Sequence, residues 1–107
     1  MKKFTLGKSR DHLFELVPEG RIKKMKIGTK TLGLVRRGSE CFVFDAFCPH
    51  RGALLTEGQV NDRNEISCPL HQYRFELKTG KVKVGYCGDL ETYPAILTEA
   101  GLEITIP

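Results

Sequence analysis

Apolar and polar residues alternate with a period of two along most of the chain, a pattern typical of β-strands. Short runs rich in β-branched and aromatic residues predict strands, and Gly- and Asn-containing pairs between them predict turns. The predicted strands cover residues 2–6, 21–27, 30–37, 40–47, 64–67, 73–77, 81–84, 91–98 and 102–106. No stretch predicts an amphipathic helix of ten or more residues. Many short strands at close spacing favour an all-β fold, an antiparallel sandwich or partial barrel.

The length of the chain is that of one domain. We expect its 107 residues to form a single unit over residues 1–107, since most domains have about 100–150 residues. No apolar run approaches the roughly 20 residues of a membrane span, so no membrane association is expected. Met1-Lys2-Lys3 could begin a signal peptide, but no apolar segment follows before Lys8. A cytoplasmic protein is therefore expected.

Charge is distributed unevenly between the two parts of the chain. Residues 1–40 contain 11 Lys and Arg against 4 Asp and Glu, a net charge of +7, whereas residues 41–107 carry −3. The basic residues alternate with apolar ones and are not interleaved with aromatic residues. This pattern favours solvated strand faces over a nucleic-acid groove, and no nucleic-acid partner is expected. The positive charge leaves open an interaction with an acidic protein partner.

Two of the three histidines stand beside cysteines, each pair at the end of a predicted strand. The first pair lies in Cys48-Pro49-His50. After 17 intervening residues, the second lies in Cys68-Pro69-Leu70-His71. Two short loops on a β scaffold can converge on one site, and thiolate with imidazole is a donor set that suits iron and zinc.

Three interpretations of these pairs are open. The side chains could pack without a metal. They could hold a structural zinc ion, although zinc modules more often use C-x-x-C and H-x(3–5)-H pairs. They could hold a 2Fe–2S cluster, with Cys48 and Cys68 on one iron and His50 and His71 on the other.

The sequence resembles the Rieske family at this point. Its two cluster-binding loops are similar to Cys48-Pro49-His50-Arg51-Gly52 and Cys68-Pro69-Leu70-His71, and the similarity continues through Phe75 and Thr79-Gly80-Lys81-Val82. Arg51-Gly52 is similar to the ferredoxins of ring-hydroxylating oxygenase systems, not to the respiratory branch. The respiratory proteins carry an extra cysteine in each loop; Ala53 and Leu70 stand there in this chain.

The resemblance implies a Rieske fold, with a cluster-binding part at about residues 45–85 inserted in a β base domain. It implies one 2Fe–2S cluster bound by Cys48, His50, Cys68 and His71. Arg51, Gly52 and Tyr73 are candidates for contacts around the cluster or with a partner. Because Phe75 lacks a hydroxyl and Tyr73 replaces a serine, we expect a potential at the low end of the range of about −150 to +300 mV known for such centres.

The same resemblance implies the role of an electron carrier and not of an enzyme. An oxygenase would need a further iron site of two histidines and a carboxylate, but His12 alone remains, and no G-x-G motif indicates a dinucleotide site. The expected carrier docks transiently with an NAD(P)H-dependent flavin reductase and with a terminal oxygenase or similar acceptor. Alternatives are the small Rieske-like subunit of an assimilatory nitrite reductase and a zinc-bound structural or interaction module.

Three other positions are noted for their chemistry. Cys41 is predicted to be a small buried residue of a strand. Cys87 is more simply explained as a packing or surface thiol, although its loop, residues 84–89, could bring it near the cluster. Gln72 stands where Rieske proteins often have glycine.

Overall fold

A computed structural model describes residues 1–49, 52–70 and 72–107. His50, Arg51 and His71 lie outside the described residues. In the described part, the strands form three antiparallel sheets. The elements in chain order are β1 (Lys2–Leu6), α1 (Arg10–Leu16), β2 (Ile22–Ile27), β3 (Lys30–Arg37), β4 (Glu40–Asp45), a 3-10 turn (Leu55–Glu57), β5 (Gln59–Val60), β6 (Glu65–Ser67), β7 (Arg74–Glu76), β8 (Val82–Val84), β9 (Thr92–Tyr93), β10 (Ala95–Thr98) and β11 (Gly101–Ile106).

The central sheet, in the order β2-β3-β4-β9, is covered on both faces. Leu32 to Val35 on β3 and Cys41 to Phe44 on β4 are all buried, so neither face of this pair is open to solvent. A strand covered on both sides carries apolar residues at successive positions, in place of the alternation of a half-exposed strand.

Two hydrophobic cores lie on the two faces. In the first core, side chains such as Leu32 and Leu34 meet α1 and the sheet β1-β11-β10. In the second core, Val35, Phe42 and Phe44 meet the third sheet, β5-β6-β7-β8, and the segments around it. The antiparallel all-β expectation is confirmed, and the strands of the described residues do not close into a barrel.

A glycine on β3 makes room for the aromatic ring on β4. Gly33 and Phe44 are register partners, and a Cβ on Gly33 would lie 2.6 Å from Cζ of Phe44. The ring thus covers the glycine and fills the second core, where Phe44 is fully buried.

Three details differ from the sequence-based expectation. The predicted strand 91–98 is wrong as a single element, because Pro94 separates β9 in the central sheet from β10 in the sheet β1-β11-β10. Proline has no N–H to continue a ladder, although its carbonyl accepts a hydrogen bond from Thr105. The helix α1 and the two-residue strand β5 were not predicted.

The helix α1 is short but is held at both ends. The Ser9 hydroxyl caps its first turn by accepting from the His12 N–H at 3.1 Å. At the other end, Arg36 Nε donates to the Val17 carbonyl at 2.7 Å, and its guanidinium lies 4.3 Å from the centre of the Phe14 ring. Arg36 therefore belongs to a structural contact and not to a solvated strand face.

The two cysteine-containing segments both contribute to the second core. The first follows β4, and the second connects β6 to β7. Across the described residues, no helix is long and apolar enough to cross a bilayer.

Candidate metal centre

The first cysteine segment is a closed loop. Phe47 and Leu54 form a bridge at its base, the Cys48 N–H donates to the Ala53 carbonyl at 2.7 Å, and the Gly52 N–H donates to the Cys48 carbonyl at 2.8 Å. These bonds hold the Cys48 side chain inward, where only 2% of the residue is exposed. His50 and Arg51, which sequence analysis singled out here, are outside the described residues.

The second cysteine segment closes in the same way. The Cys68 N–H donates to the Tyr73 carbonyl at 2.7 Å, again five residues further along the chain. Cys68 is fully buried. His71, the predicted partner in this loop, is outside the described residues.

The two loops share a backbone feature that the sequence did not reveal. Four residues after each cysteine, the backbone takes a left-handed conformation, with φ 72° at Gly52 and φ 57° at Gln72. One loop has a glycine at this position and the other a side chain, so the equivalence is not visible in the residue types. Because each turns its cysteine toward the second core, the two loops bring both thiols to one place.

The thiols of Cys48 and Cys68 lie close together in the second core. Burial is the main cause that raises the pKa of the Cys68 thiol. The Leu70 N–H, which donates to this sulfur, lowers the pKa, and the interactions with Cys48 raise it. A metal ion that binds here must displace the thiol protons, and its own charge favours their loss.

A third segment, residues 84–89, lies beside the cysteine pair. Cys87 is half-buried and packs against the second core, and electrostatic interactions link it to both Cys48 and Cys68. The pKa of the Cys87 thiol is raised, mainly by burial. Its neighbour Tyr86 is 98% exposed. Cys41, in contrast, is buried in the first core, as predicted.

The donor chemistry of this end of the molecule fits iron. Two adjacent buried sulfurs on rigid loops suit a thiophilic metal. Among residues 1–49, 52–70 and 72–107, no group of three His, Cys, Asp or Glu side chains is arranged to hold a metal ion. Among these residues, Cys87 thus does not complete a metal site with the cysteine pair. The predicted ligands His50 and His71 lie outside them.

Comparison with known proteins identifies the family. The Rieske [2Fe-2S] domain profile matches residues 11–94. The 3-phenylpropionate/cinnamic acid dioxygenase ferredoxin subunit of Photorhabdus laumondii is 33% identical over 93 residues, 86% of this chain and 88% of that protein. A ferredoxin component of naphthalene 1,2-dioxygenase/salicylate 5-hydroxylase systems from a Ralstonia species is 37% identical over 79 residues, 73% and 75% of the two chains.

Solved structures with the same fold include two that contain a carbazole 1,9a-dioxygenase ferredoxin and one described as a nitrite reductase subunit. The ferredoxin of carbazole 1,9a-dioxygenase from Nocardioides aromaticivorans superposes with a TM-score of 0.87, 19% identity and full coverage of both chains. A chain in a complex of oxygenase and ferredoxin of carbazole 1,9a-dioxygenase superposes with a TM-score of 0.78 and 22% identity. The match covers 95% of this chain and 91% of that chain. A Mycobacterium tuberculosis chain described as an NADH-dependent nitrite reductase small subunit superposes with a TM-score of 0.80 and 20% identity. The match covers 99% of this chain and 96% of that chain.

These three identities are low enough that they support the fold alone. The family rests on the profile match across most of the chain and on relatives more than 30% identical over most of both sequences. On that basis the zinc interpretation is set aside: the chain belongs to the Rieske [2Fe–2S] family and carries a single Rieske-type 2Fe–2S cluster.

Proposed function

We propose that the chain is a one-electron carrier that takes electrons from an NAD(P)H-dependent flavin reductase and delivers them to a terminal oxygenase. The observation that carries the proposal is its 33% identity, over 86% of the chain, to a dioxygenase ferredoxin subunit. Two relatives more than 30% identical are named as ferredoxins of dioxygenase systems, which supports the acceptor class. The flavin reductase is proposed from the family resemblance, as is the cytoplasm as the compartment.

We further propose that Cys48 and Cys68 bind one iron of the cluster and that His50 and His71 bind the other. The adjacency of the two buried thiols supports the first half of this assignment. The equivalent closure of the two loops supports the second half, because each loop carries one histidine between its cysteine and its closing carbonyl. Residues 45–85 would then form the cluster-binding part of the domain.

The protein's contribution to this chemistry is electrostatic and positional. The bound cluster accepts and releases one electron. Two thiolates bring two negative charges and two neutral imidazoles bring none, so the oxidised site is formally neutral and the reduced site carries one extra negative charge. The Leu70 N–H, donated to the Cys68 sulfur, stabilises that added charge.

The surface around the cysteine loops is suited to brief contact with a partner. Four large apolar residues near these loops have exposed fractions between 39% and 98%: Phe47, Leu70, Val84 and Tyr86. A carrier must leave its donor before it reaches its acceptor, so we expect an interface below about 1,200 Å². Arg51 and Gly52 are proposed to lie in this docking surface.

A nitrite reductase small subunit remains the alternative of another class, since such a chain has the same fold. The two proposals differ in how the chain associates with its partner. A carrier separates from its partners during purification, whereas a subunit copurifies in fixed stoichiometry with a large sirohaem-containing chain.

The test is a single-turnover experiment without oxygen. The reduced chain is mixed with an oxidised ring-hydroxylating oxygenase, and absorbance is followed in a stopped-flow instrument. We expect each carrier to lose one electron as the oxygenase gains one, with second-order kinetics. Absence of transfer to oxygenases, together with a fixed sirohaem-containing complex in the source cells, would overturn the proposal.

A further inference from the structure

We propose that Tyr73 is a positioning residue whose ring latches residues 84–89, here called the third loop, against the second cysteine loop. By this contact Tyr73 limits the access of water to the cluster and keeps its reduction potential low. The inference deepens the proposed function and rests on Cys48 and Cys68 as cluster ligands.

The latch is a close contact between an aromatic ring and a glycine backbone. A Cβ placed on Gly85 would lie 2.5 Å from Cε2 and 2.6 Å from Cγ of Tyr73. Carbon atoms in favourable contact are about 3.5–4.0 Å apart, so no side chain fits between this ring and this backbone. Gly85 also has φ 128°, which residues with a side chain rarely adopt. The absence of a side chain at Gly85 and its backbone conformation therefore both allow the Tyr73 ring to pack against it.

Tyr73 joins the third loop to a cluster ligand through its own backbone. Its carbonyl accepts the hydrogen bond from the Cys68 N–H at 2.7 Å, and its side chain packs against the second core. The next residue, Arg74, is the register partner of Val84, so Tyr73 and Gly85 extend the β7–β8 pair just beyond its last paired residues. Any displacement of the Tyr73 ring therefore acts on the segment that fixes Cys68.

The far end of the third loop is anchored separately. The Val82 N–H donates to Asp89 Oδ1 at 3.0 Å, and the Leu90 N–H donates to the Gly80 carbonyl at 2.7 Å. With both ends fixed, the loop has an inner and an outer side. Cys87 packs inward against the core that contains both cysteines, whereas Tyr86 is almost fully exposed. The loop therefore acts as a cover over the sulfur-bound side of the site.

The physical consequence concerns the charge that reduction adds. Water stabilises an added negative charge better than packed side chains do, so an open third loop favours the reduced cluster. Loss of the latch should thus raise the potential, and it should also let dissolved oxidants reach the cluster.

The experiment compares four single variants of the full chain with its cluster in place. Gly85→Ala pushes the ring away, and Tyr73→Ala removes it. Tyr73→Phe keeps the ring without its hydroxyl. Gly88→Ala is the matched control, since no atom lies within 4 Å of its added Cβ and its φ is not positive. The readouts are the midpoint potential, from a titration followed by EPR, and the rate of bleaching in air.

We expect Gly85→Ala and Tyr73→Ala to shift the reduction equilibrium at least threefold toward the reduced form, about 28 mV at 59 mV per tenfold. Both should bleach several-fold faster, whereas Gly88→Ala should match the parent protein. Tyr73→Phe measures the contribution of the hydroxyl, and the further change from Tyr73→Phe to Tyr73→Ala measures that of the ring.

An unchanged or lowered potential in Tyr73→Ala overturns the latch, as does a Tyr73→Phe variant that behaves like Tyr73→Ala. If Gly85→Ala does not fold, the comparison of the two Tyr73 variants decides. Failure of the latch leaves the parent protein with its Rieske EPR spectrum. Failure of the proposed ligand set is recognised separately, by the absence of that spectrum in the parent protein.

Discussion

Gln72 has a left-handed backbone conformation at the position that Gly52 occupies in the first cysteine loop. A side chain is disfavoured there, because its Cβ crowds the following carbonyl oxygen. Loop closure nevertheless holds Gln72 in place, since the Cys68 N–H and the Tyr73 carbonyl are bonded around it. The second loop therefore stores a small amount of backbone strain next to a proposed ligand.

Replacing Gln72 by glycine should relieve this strain. We expect Gln72→Gly to stabilise the folded chain by about 0.5–1 kcal/mol, the difference between the cost of the left-handed side chain and the added freedom of glycine when unfolded. Thermal unfolding followed by circular dichroism measures the change. The control is Gln59→Gly on an exposed strand position without positive φ, which should destabilise. A destabilised Gln72→Gly would contradict this account.

Cys41 and the cysteine pair differ in environment although all three are buried. Cys41 lies in the first core, on the other face of the central sheet from Cys48 and Cys68. Burial raises the pKa of its thiol, and the nearby Arg36 opposes this effect. We expect Cys41→Ser to retain the full iron and sulfide content, with a loss of about 1–2 kcal/mol in stability from the buried hydroxyl. Loss of the cluster in this variant, measured by iron analysis, would refute the ligand assignment.

At the scale of elements, the strands could be predicted because their cause is local. Turns with left-handed glycines, such as Gly28 and Gly38, separate runs of β-forming residues, and β3 extends over Lys30–Arg37 as expected. The helix α1 was missed because its cause is not local. Seven residues form it, and its C-terminal end depends on Arg36, a residue 19 positions beyond Val17 in the chain.

Arg36 should therefore matter more for stability than a surface arginine. Its guanidinium both donates to the Val17 carbonyl and stacks on Phe14, and a lysine cannot reproduce this planar arrangement. We expect Arg36→Lys to lower the free energy of unfolding by about 1–2 kcal/mol. Arg21→Lys, at an exposed position, serves as the control and should change it by less than about 0.5 kcal/mol. Urea denaturation measures the effect of both substitutions on the free energy of unfolding. Equal effects would argue against the contact of Arg36 with the end of α1.

For the whole molecule, the cysteine–histidine pairs alone left three interpretations open, and the resemblance of the two loops and the residues after them to the Rieske family predicted the family and its cluster. The third loop's contact with the second could not be predicted in this way. Tyr73 and Gly85 meet only because β7 and β8 pair in a particular register, and no residue pattern specifies that register from one sequence. The assignment of His50 and His71 stays a prediction, because both lie outside the described residues.

The charge asymmetry of the molecule should affect how fast it meets a partner. An increase in ionic strength from about 0.05 to about 0.5 M shortens the Debye length from roughly 14 to roughly 4 Å. With a net charge of +7 on residues 1–40, we expect the second-order rate of reduction by the proposed flavin reductase to fall with salt. Arg51→Glu should lower the rate further. A rate in stopped-flow experiments that is indifferent to both changes would favour a permanently assembled subunit.

The central claim, a carrier cluster held by two thiolates and two imidazoles, is tested most directly by nitrogen hyperfine spectroscopy. The chain is labelled with ¹⁵N-histidine, reduced with dithionite and examined by pulsed EPR. We predict two coupled ¹⁵N nuclei in the parent protein and in the His12→Ala control. His50→Cys and His71→Cys should each retain at most one, and each should have a lower potential wherever a cluster forms, because a thiolate adds negative charge. A cluster without histidine couplings, or couplings that survive both substitutions, would contradict the assignment.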